Sequence, residues 1–482
     1  MRRRLAPIIL IALIAAAGIA ARPHSAVARQ SSSTSAQSST AGAIRHVIVI
    51  TIDGMKPQTY TEPDAHGLKV PTLREIVQHG ASSDGVQPVM PSNTYPSHTT
   101  MMTGVNPGTH GIVTNTAWDP LQQNYGGYRW YEEDIRVPTL WQIARQRGLH
   151  TALIHWPVTV GAQADLIVPE YWRASIPEDL KLLRALSTRG VFEEVGKEFP
   201  DFAAGITPPL QVDAAFTDVA CYAIEKLQPN LLLLHLAMVD HNEHEHGPFS
   251  PEAVAATEIA DAQIARVIAA AKKAGIWNST VLVVLSDHGF LPISQTYRPG
   301  VLLHEHELVT LDAKNRVATW KATLISNGGS AYIYLHDTND DETRRALLDI
   351  FQPLAGAPGS GIRRVVGHGE IVAMGGDPDA FLGLEAVDGT TFSSDYAGKL
   401  TEPSKIGGTH GYFPDHSEMR ASLLIYGPSI GAGKIENARL IDVGPTIARW
   451  LSLDLPNAQG SALAIPSASV SGSVLLDAVG AR

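Results

Sequence analysis

Three apolar segments, each ending in a polar cluster, constrain the fold of this chain more than any other feature. They are HVIVITIDG at residues 46–54, LLLLHLAMVD at 231–240 and STVLVVLSDHG at 279–289. Short apolar runs of this kind are typical of strands buried on both faces of a parallel sheet. The segment 252–275 has apolar residues three and four apart and ends in glycine, which predicts a helix. Strands that alternate with helices predict an α/β fold with a mostly parallel central sheet sandwiched by helices.

Composition divides the chain into a leader and one large domain. Residues 1–28 begin with three consecutive arginines at positions 2–4, followed by an apolar run and small residues, which predicts a secretory signal peptide, with an uncleaved membrane anchor as the alternative. We therefore expect export to the periplasm or the exterior, and no stable membrane partner after cleavage. Residues 29–44 are rich in serine and threonine and are expected to form a flexible leader. The folded domain is predicted at 45–480, with a smaller inserted α+β region at about 290–400 that is richer in turn residues.

The net charge argues against binding to a nucleic-acid coat, and the cysteine content excludes disulfides and cysteine-rich zinc sites. The formal net charge is -11, which argues against a coat of nucleic acid, because phosphate backbones are held by clustered lysine and arginine. Cys221 is the only cysteine, so no intramolecular disulfide and no cysteine-rich structural zinc site can form. Its surroundings predict a buried position on an amphipathic helix.

Carboxylates follow all three predicted strands. Asp53, Asp240 and Asp287 would lie beyond the carboxyl ends of the strands, where open α/β sheets bind ligands. Three histidines accompany them: His244, His288 and His410. Carboxylate oxygen with imidazole nitrogen suits zinc, with manganese or iron as alternatives. Six such residues can hold two ions, and two ions about 3.5–4 Å apart form the usual clamp for in-line displacement at phosphorus. We therefore predict two Zn²⁺ per chain.

The segment PVMPSNTYPSHTTMMTG supplies a candidate nucleophile. Thr94 precedes a helical run, and a hydroxyl at a helix N-terminus is surrounded by free amide groups that suit a phosphoryl group. Alone, Thr94 would be interpreted as a helix cap, but beside six ligand-type residues we predict that it attacks phosphorus. Asn115 follows in HGIVTN and could donate to a phosphoryl oxygen, or simply form a turn.

These motifs together resemble the nucleotide pyrophosphatase/phosphodiesterase family of the alkaline-phosphatase superfamily. The matching segments, in the family's order, are VITIDGMKP, PSNTYPSHTTMMTGVNPGTHGIVTN, VDHNEHEHGP, LSDHGF and GGTHGY. The resemblance implies an alkaline-phosphatase-like catalytic domain, a transiently phosphorylated Thr94 and an oxyanion-stabilising Asn115. It implies one zinc held by Asp53, Thr94, Asp287 and His288, and a second held by Asp240, His244 and His410.

The resemblance also implies two aromatic residues for substrate binding. Tyr95 matches the position where the family stacks a nucleobase, and Tyr171 in VPEYW is the candidate for the opposite wall, with Trp172 or Trp156 as alternatives. Two departures from the family are Asn93, where many relatives have lysine, and Glu243, where relatives commonly have glycine.

The sequence therefore predicts a two-metal phosphodiesterase or nucleotide pyrophosphatase that acts on a small phosphodiester or nucleotide. A phosphomonoesterase, a phosphonate hydrolase and a noncatalytic metal-binding protein are the alternatives. A diester is favoured over a monoester because no arginine lies beside the nucleophile to bind the additional phosphate charge. The sequence leaves the substrate and the oligomeric state open.

Overall fold

The structure, a computed structural model, describes residues 43–123, 127–171, 177–206 and 212–468. The predicted signal peptide and nearly all of the predicted leader lie outside the described residues. The strands, numbered along the chain, are β1 (His46–Ile52), β2 (Ala81–Ser82), β3 (Thr151–Ile154), β4 (Leu166–Val168), β5 (Leu231–Leu236), β6 (Thr280–Leu285), β7 (Leu291–Pro292), β8 (Gln295–Tyr297), β9 (Val309–Leu311), β10 (Val317–Trp320), β11 (Ala322–Ser326), β12 (Ser330–Leu335), β13 (Ile362–Gly367), β14 (Leu382–Ala386), β15 (Thr390–Phe392), β16 (Thr401–Pro403), β17 (Gly408–Thr409), β18 (Leu423–Tyr426) and β19 (Gly433–Lys434).

The α-helices, numbered in the same way, are α1 (Gln58–Thr61), α2 (Pro71–His79), α3 (Thr94–Thr103), α4 (Pro107–His110), α5 (Leu140–Gln146), α6 (Pro177–Leu186), α7 (Val191–Glu198), α8 (Phe202–Gly205), α9 (Val212–Leu227), α10 (Met238–His246), α11 (Pro251–Lys273), α12 (Pro299–Glu305), α13 (Asp341–Phe351), α14 (His368–Ala373) and α15 (Val443–Trp450). Among the described residues, none of these helices has the length and the apolar character that a membrane span requires.

An eight-stranded sheet forms the centre of the fold, with the strand order β19-β2-β18-β6-β1-β5-β3-β4. β1 pairs in parallel with both β5 and β6, and only β18 runs antiparallel to its neighbours. The three predicted apolar strands are therefore adjacent at the middle of the sheet. Because parallel strands end at the same edge, the polar residues that follow them meet there.

Helices cover both faces of this sheet. Ile48 and Ile50 of β1 pack in one core with residues of α2, α9 and α11. Val47 and Val49 pack in a second core with residues of α3, α5 and α15. Successive side chains of a strand point to opposite faces, so β1, which is apolar at most positions, supplies both cores. The prediction of a mostly parallel sheet sandwiched by helices is confirmed.

Smaller sheets lie within residues 291–403. β11, β12, β14 and β13 form a four-stranded antiparallel sheet, and β15, β8 and β16 form a three-stranded one. These strands and α13 share a separate core that includes Leu324, Ile333 and Phe351. The exact limits of the inserted region at about 290–400 and of the domain at 45–480 stay predictions.

Candidate functional site

The predicted site residues converge at one edge of the central sheet. Asp53 follows β1, Asp240 lies in the first turn of α10 just after β5, and Asp287 with His288 follows β6. His410 follows β17, which brings it to the same place from the far part of the chain. All of them are buried or half-buried.

One group of ligand atoms is centred on Asp240. Its Oδ1 lies 3.5 Å from His244 Nε2 and 3.6 Å from His410 Nε2. The ligand atoms of these three residues all lie within 4.8 Å of one another. They are the three residues that the resemblance assigned to one ion.

A second group is centred on His288. Its Nε2 lies 3.3 Å from Asp53 Oδ1, 3.3 Å from Asp287 Oδ2 and 3.4 Å from Thr94 Oγ1. Asp240 also approaches this group, because ligand atoms of Asp53, Asp240 and His288 lie within 4.8 Å of one another. The two groups are therefore neighbours, with Asp240 between them.

The carboxylates of these groups fit metal ions. Oδ1 of Asp53, Oδ1 of Asp240 and Oδ2 of Asp287 are buried and have no hydrogen-bond partner among the described residues. Burial, reinforced by the neighbouring carboxylates, raises the pKa of Asp53 well above its ordinary value. Burial also raises the pKa of Asp240 to about 6 and raises that of Asp287. Buried carboxylates held this close to one another require cations to remain charged.

The histidines are oriented in the way that metal ligands require. His244 Nδ1 donates to the carbonyl of Gly408 at 3.0 Å, and His288 Nδ1 donates to the carbonyl of Gly289 at 3.2 Å. His410 Nδ1 lies 3.1 Å from the carbonyl of Ser92. A neutral ring that donates through Nδ1 presents the Nε2 lone pair to an ion. Burial keeps such rings neutral, because it lowers the pKa of both His288 and His410 well below the ordinary value.

Asn93, one of the two departures from the family, lies beside a candidate ligand histidine. Its side-chain amide lies 3.0 Å from His410 Nδ1. The same end of the amide lies 3.1 Å from the backbone carbonyl oxygens of Ser92 and Asn327, which accept hydrogen bonds from its NH₂ group. A neutral amide therefore contacts the surroundings of His410, where a lysine would bring a positive charge.

Glu243, the other departure, is buried on α10 between the two ligand positions of that helix. Its Oε2 has no hydrogen-bond partner among the described residues, and burial raises its pKa well above the ordinary value. Gly54 lies against it: a side chain at Gly54 would meet Glu243 Oε2 at 3.0 Å. The carboxyl group thus packs against Gly54, the residue that follows Asp53.

Thr94 is the first residue of α3, and Asn93 occupies the N-cap position. Asn115 lies beside it, since Asn115 Oδ1 accepts a hydrogen bond of 2.9 Å from the backbone N–H of Tyr95. With the oxygen bonded in this way, the NH₂ group is the part of the Asn115 side chain that can donate to a group in the cavity. A hydroxyl, an amide donor and two groups of metal-type ligands are therefore brought together.

A cavity of about 670 Å³ opens from these residues. Tyr95, Tyr128 and Tyr171 line it, together with apolar residues of α6 and α9 such as Leu183 and Phe216. The ring centroids of Tyr95 and Tyr128 are 5.5 Å apart, and Tyr171 packs on Trp130 at 4.9 Å. The cavity is large enough for a nucleotide-sized group.

The structure distinguishes between the candidates for the aromatic wall opposite Tyr95. Tyr171 lines the cavity, whereas Trp156 is fully buried, and its ring packs edge-on against His98 with centroids 4.8 Å apart. Trp172 lies outside the described residues. Sequence reasoning missed Tyr128 and Glu170, which also line the cavity. Glu170 could have been noticed as the neighbour of Tyr171 in VPEYW, but Tyr128 stands in no motif.

The four histidines that lie within or beside the motif segments but were not predicted to bind metal fall into two kinds. His98 and His110 are fully buried, and they bond to Thr94 and Thr100 of α3, respectively. The side chains of His241 and His246 are 47% and 42% exposed, and neither belongs to the two ligand groups.

Comparison with known proteins identifies the family. A model of the family described as "Type I phosphodiesterase / nucleotide pyrophosphatase" matches residues 47–412. Human ectonucleotide pyrophosphatase/phosphodiesterase family member 5 is 27% identical over 263 residues, which are 52% of this chain and 46% of that protein. Venom phosphodiesterase 2 of Crotalus adamanteus is 24% identical over 255 residues, which are 52% of this chain and 27% of that protein. The match thus spans less than half the length of these curated relatives.

A solved structure shows the same fold. Murine ectonucleotide pyrophosphatase/phosphodiesterase 5, an inactive threonine-to-alanine variant in complex with AMP, superposes with a TM-score of 0.61 at 21% identity. The superposition covers 86% of this chain and 97% of the murine one. At this identity the likeness establishes the alkaline-phosphatase-like fold.

Proposed function

Because the chain belongs to the type I phosphodiesterase/nucleotide pyrophosphatase family, we propose that it hydrolyses a small phosphodiester or pyrophosphate with Thr94 as nucleophile. The observation that carries the proposal is the position of the Thr94 hydroxyl, which lies 3.4 Å from His288 Nε2 in a cavity that carboxylates and histidines also line. A threonine that acted only as a helix cap would not need this environment, and the N-cap of α3 is Asn93.

Two groups of residues would hold the metal ions. Asp240, His244 and His410 would hold one ion, and Asp53, Asp287, His288 and Thr94 would hold the other. When bound, the ions lower the pKa of the attacking hydroxyl and neutralise the charge of the leaving oxygen. Zinc suits the mixed carboxylate and imidazole set, with manganese or iron as alternatives.

The chain's own residues perform the remaining steps. Thr94 Oγ1 attacks phosphorus in line with the leaving group, which departs as an alcohol or a nucleotide. Asn115 donates from its amide nitrogen to a phosphoryl oxygen and stabilises the charge that develops there. Water then hydrolyses the phosphothreonine from the side that the leaving group has vacated, which restores the hydroxyl.

The charge of the cavity favours diesters over monoesters. Among the described residues that line it, none is lysine or arginine, whereas Glu170, Asp179 and Glu245 add carboxylates to those of the ligand groups. A phosphomonoester carries one more negative charge than a diester and needs additional cationic groups to bind. A phosphomonoesterase or phosphonate hydrolase with the same ions is the second candidate, because the ligand groups would serve it equally well.

The aromatic walls favour a substrate with a flat group. Tyr95 and Tyr171 line the cavity, and an aromatic ring stacks on any nucleobase. We therefore propose a nucleotide ester or dinucleotide as the substrate class, and export to the periplasm or the exterior as the location of the reaction.

Paired kinetics on the purified, zinc-loaded protein test the proposal. Bis-p-nitrophenyl phosphate, p-nitrophenyl phosphate and the p-nitrophenyl ester of thymidine monophosphate are compared at equal concentration. We expect kcat/KM to be highest for the nucleotide ester and lowest for the monoester. A preference for the monoester would assign the protein to the phosphatases, and a zinc-loaded protein inert toward all three would refute the proposal.

A further inference from the structure

A hydrogen-bonded chain of three buried side chains lies directly behind the metal-type carboxylates. Thr51 is in β1, two residues before Asp53, and His235 is its register partner in β5. His98 lies on α3, one turn after Thr94. Thr51 and His98 have no exposed surface, and His235 is 1% exposed. The proposed reaction does not use these three residues.

Four contacts run through this chain of side chains. His98 Nδ1 is 2.8 Å from the carbonyl oxygen of Thr94, and His98 Nε2 is 2.9 Å from Thr51 Oγ1. Thr51 Oγ1 is in turn 3.0 Å from His235 Nδ1. The fourth contact, from His235 Nε2 to Asp53 Oδ2, is longer at 3.4 Å.

The direction of each hydrogen bond follows from the end at Thr94. A carbonyl oxygen can only accept, so His98 Nδ1 carries the proton and, in a neutral ring, His98 Nε2 is an acceptor. The Thr51 hydroxyl must then donate to His98. Its oxygen accepts from His235, so the proton of His235 is on Nδ1. The Leu234 carbonyl is the other acceptor near the hydroxyl, at the longer distance of 3.5 Å.

The number of available protons explains why the contact between His235 and Asp53 is the longest of the four. Two neutral rings and one hydroxyl supply three protons, and the first three contacts use all of them. His235 Nε2 therefore presents a lone pair to the cavity and to Asp53, and it lies at 3.4 Å instead of at hydrogen-bond length.

At the other end of this row of hydrogen-bonded side chains, His98 lies near the carboxylate of Asp287. His98 Nδ1 is 3.6 Å from Asp287 Oδ2, the oxygen that faces His288. The N–H that holds the carbonyl of Thr94 thus also points to the side of Asp287. If the His98 ring changed its tautomer, it would present a lone pair to both oxygens, and both contacts would become repulsive.

We propose that Thr51 is a positioning residue of the site: its single hydroxyl holds His98 and His235 in their Nδ1–H tautomers and, through the N–H of His98, orients Thr94 and Asp287. Thr51, to which sequence reasoning gave no chemical role, would thus couple one strand-end carboxylate with the start of the nucleophile helix. The proposal rests on the proposed metal-dependent function only through the role of that carboxylate.

The first test measures the tautomers in the wild-type protein and uses variants only to assign the signals. Long-range proton–nitrogen correlation spectra of the zinc-loaded protein, labelled with ¹⁵N-histidine and assigned with His98→Gln and His235→Gln, report the tautomer of each ring. We expect Nδ1–H for both rings. An Nε2–H tautomer for either neutral ring would overturn the proposal.

The second test compares Thr51→Val with Thr51→Ser. Valine keeps the shape of threonine and removes the hydroxyl, whereas serine keeps the hydroxyl. We expect Thr51→Val to shift the His98 and His235 signals, to lower zinc affinity by about 10–100-fold in competition with a chelator, and to lower kcat more than it raises KM. Thr51→Ser should restore most of each.

Thr280→Val is the matched control. Thr280 is a buried residue of the same sheet, and its hydroxyl donates to the carbonyl of Ile276, away from the site. We expect its zinc affinity and kcat to equal those of the wild type. A Thr51→Val variant with unchanged histidine signals and zinc affinity, or a Thr51→Ser variant that restores neither, would refute the role of Thr51. If the wild type hydrolysed no phosphodiester, the function would fail, while the spectra and the zinc titration would still decide the proposal.

Discussion

Thr94 Oγ1 lies 3.4 Å from His288 Nε2, although 194 residues separate the two along the chain. The contact joins the first residue of α3 to the loop after β6. It brings a hydroxyl into the same small volume as the buried oxygens of Asp53 and Asp287, which is the arrangement that a metal-activated nucleophile requires.

Removal of this hydroxyl should abolish turnover. In Thr94→Ala we expect kcat to fall by at least about a thousandfold, because no other hydroxyl replaces the attacking group. Zinc content should stay close to that of the wild type, since the carboxylates and histidines remain. Thr103→Ala is the control, because it removes a hydroxyl that donates to the carbonyl of Thr99 on the same helix. Turnover of Thr94→Ala at the wild-type rate would exclude Thr94 as the nucleophile.

Asn115 should act on the transition state more than on binding. In Asn115→Ala we expect kcat to fall by about 10²–10³-fold with a small change in KM, as for the loss of one oxyanion donor. Asn115→Asp keeps an acceptor for the backbone N–H of Tyr95 but loses the amide donor, so it should be at least as impaired. Steady-state kinetics on bis-p-nitrophenyl phosphate measures both. An active Asn115→Asp would show that Asn115 only supports the backbone.

His244 of α10 should contribute to metal binding, whereas His246 of the same helix should not. His244 faces Asp240, whereas the side chain of His246 is 42% exposed. We expect His244→Ala to lower zinc binding and to reduce kcat/KM by at least about a hundredfold, and His246→Ala to leave both unchanged. In the wild type, zinc at a hundred times the dissociation constant of one site should raise the free energy of unfolding by about 2.7 kcal/mol through that site. Equal zinc content in the two variants would contradict the ligand assignment.

Tyr171 should discriminate between substrates. Base–aromatic stacking contributes about 1–3 kcal/mol per base. We therefore expect Tyr171→Ala to raise KM for the nucleotide ester by about tenfold or more, with a smaller effect on bis-p-nitrophenyl phosphate. Tyr131→Ala is the control, because Tyr131 is 44% exposed and does not line the cavity. An equal change in KM for both substrates would mean that Tyr171 shapes the cavity without binding a base.

His110 should contribute to the loss of stability in acid. Its Nδ1 accepts from the backbone N–H of Ile112, its Nε2 donates to Thr100 Oγ1, and burial lowers its pKa to about 3. An unfolded histidine titrates near pH 6.5, so between about pH 6.5 and pH 3 the unfolded chain binds a proton that the folded protein does not. The free energy of unfolding therefore falls as the pH is lowered through this window, by up to ~1.4 kcal/mol per pH unit for this group.

The variant His110→Gln removes the titrating group. Denaturant unfolding of the chelator-treated protein between about pH 5 and pH 8 should show a shallower dependence on pH than in the wild type. His79→Gln, at an exposed position of α2, should keep the wild-type dependence. A His110→Gln profile parallel to that of the wild type would mean that other groups cause the acid sensitivity.

The sequence by itself determined the three central strands, the family and the candidate ligands. A strand buried on both faces is apolar at most positions, so β1, β5 and β6 are recognisable without neighbours. Parallel strands end at one edge, so Asp53, Asp240 and Asp287 could be expected together before any coordinates. Helix periodicity predicted α11 in the same way.

Only the tertiary structure decided which other residues lie near these three carboxylates. Tyr128 and Glu170 reach the cavity, and Trp156 is turned into the core, because of how separate segments pack. Thr51 shows the reason most clearly. In sequence it is one more β-branched residue of a buried strand, and it becomes a polar link only because α3 and β5 place a histidine on each side of its hydroxyl. Local pattern determines secondary structure and the ends of strands, whereas a hydrogen bond between distant segments depends on the packed positions of both partners.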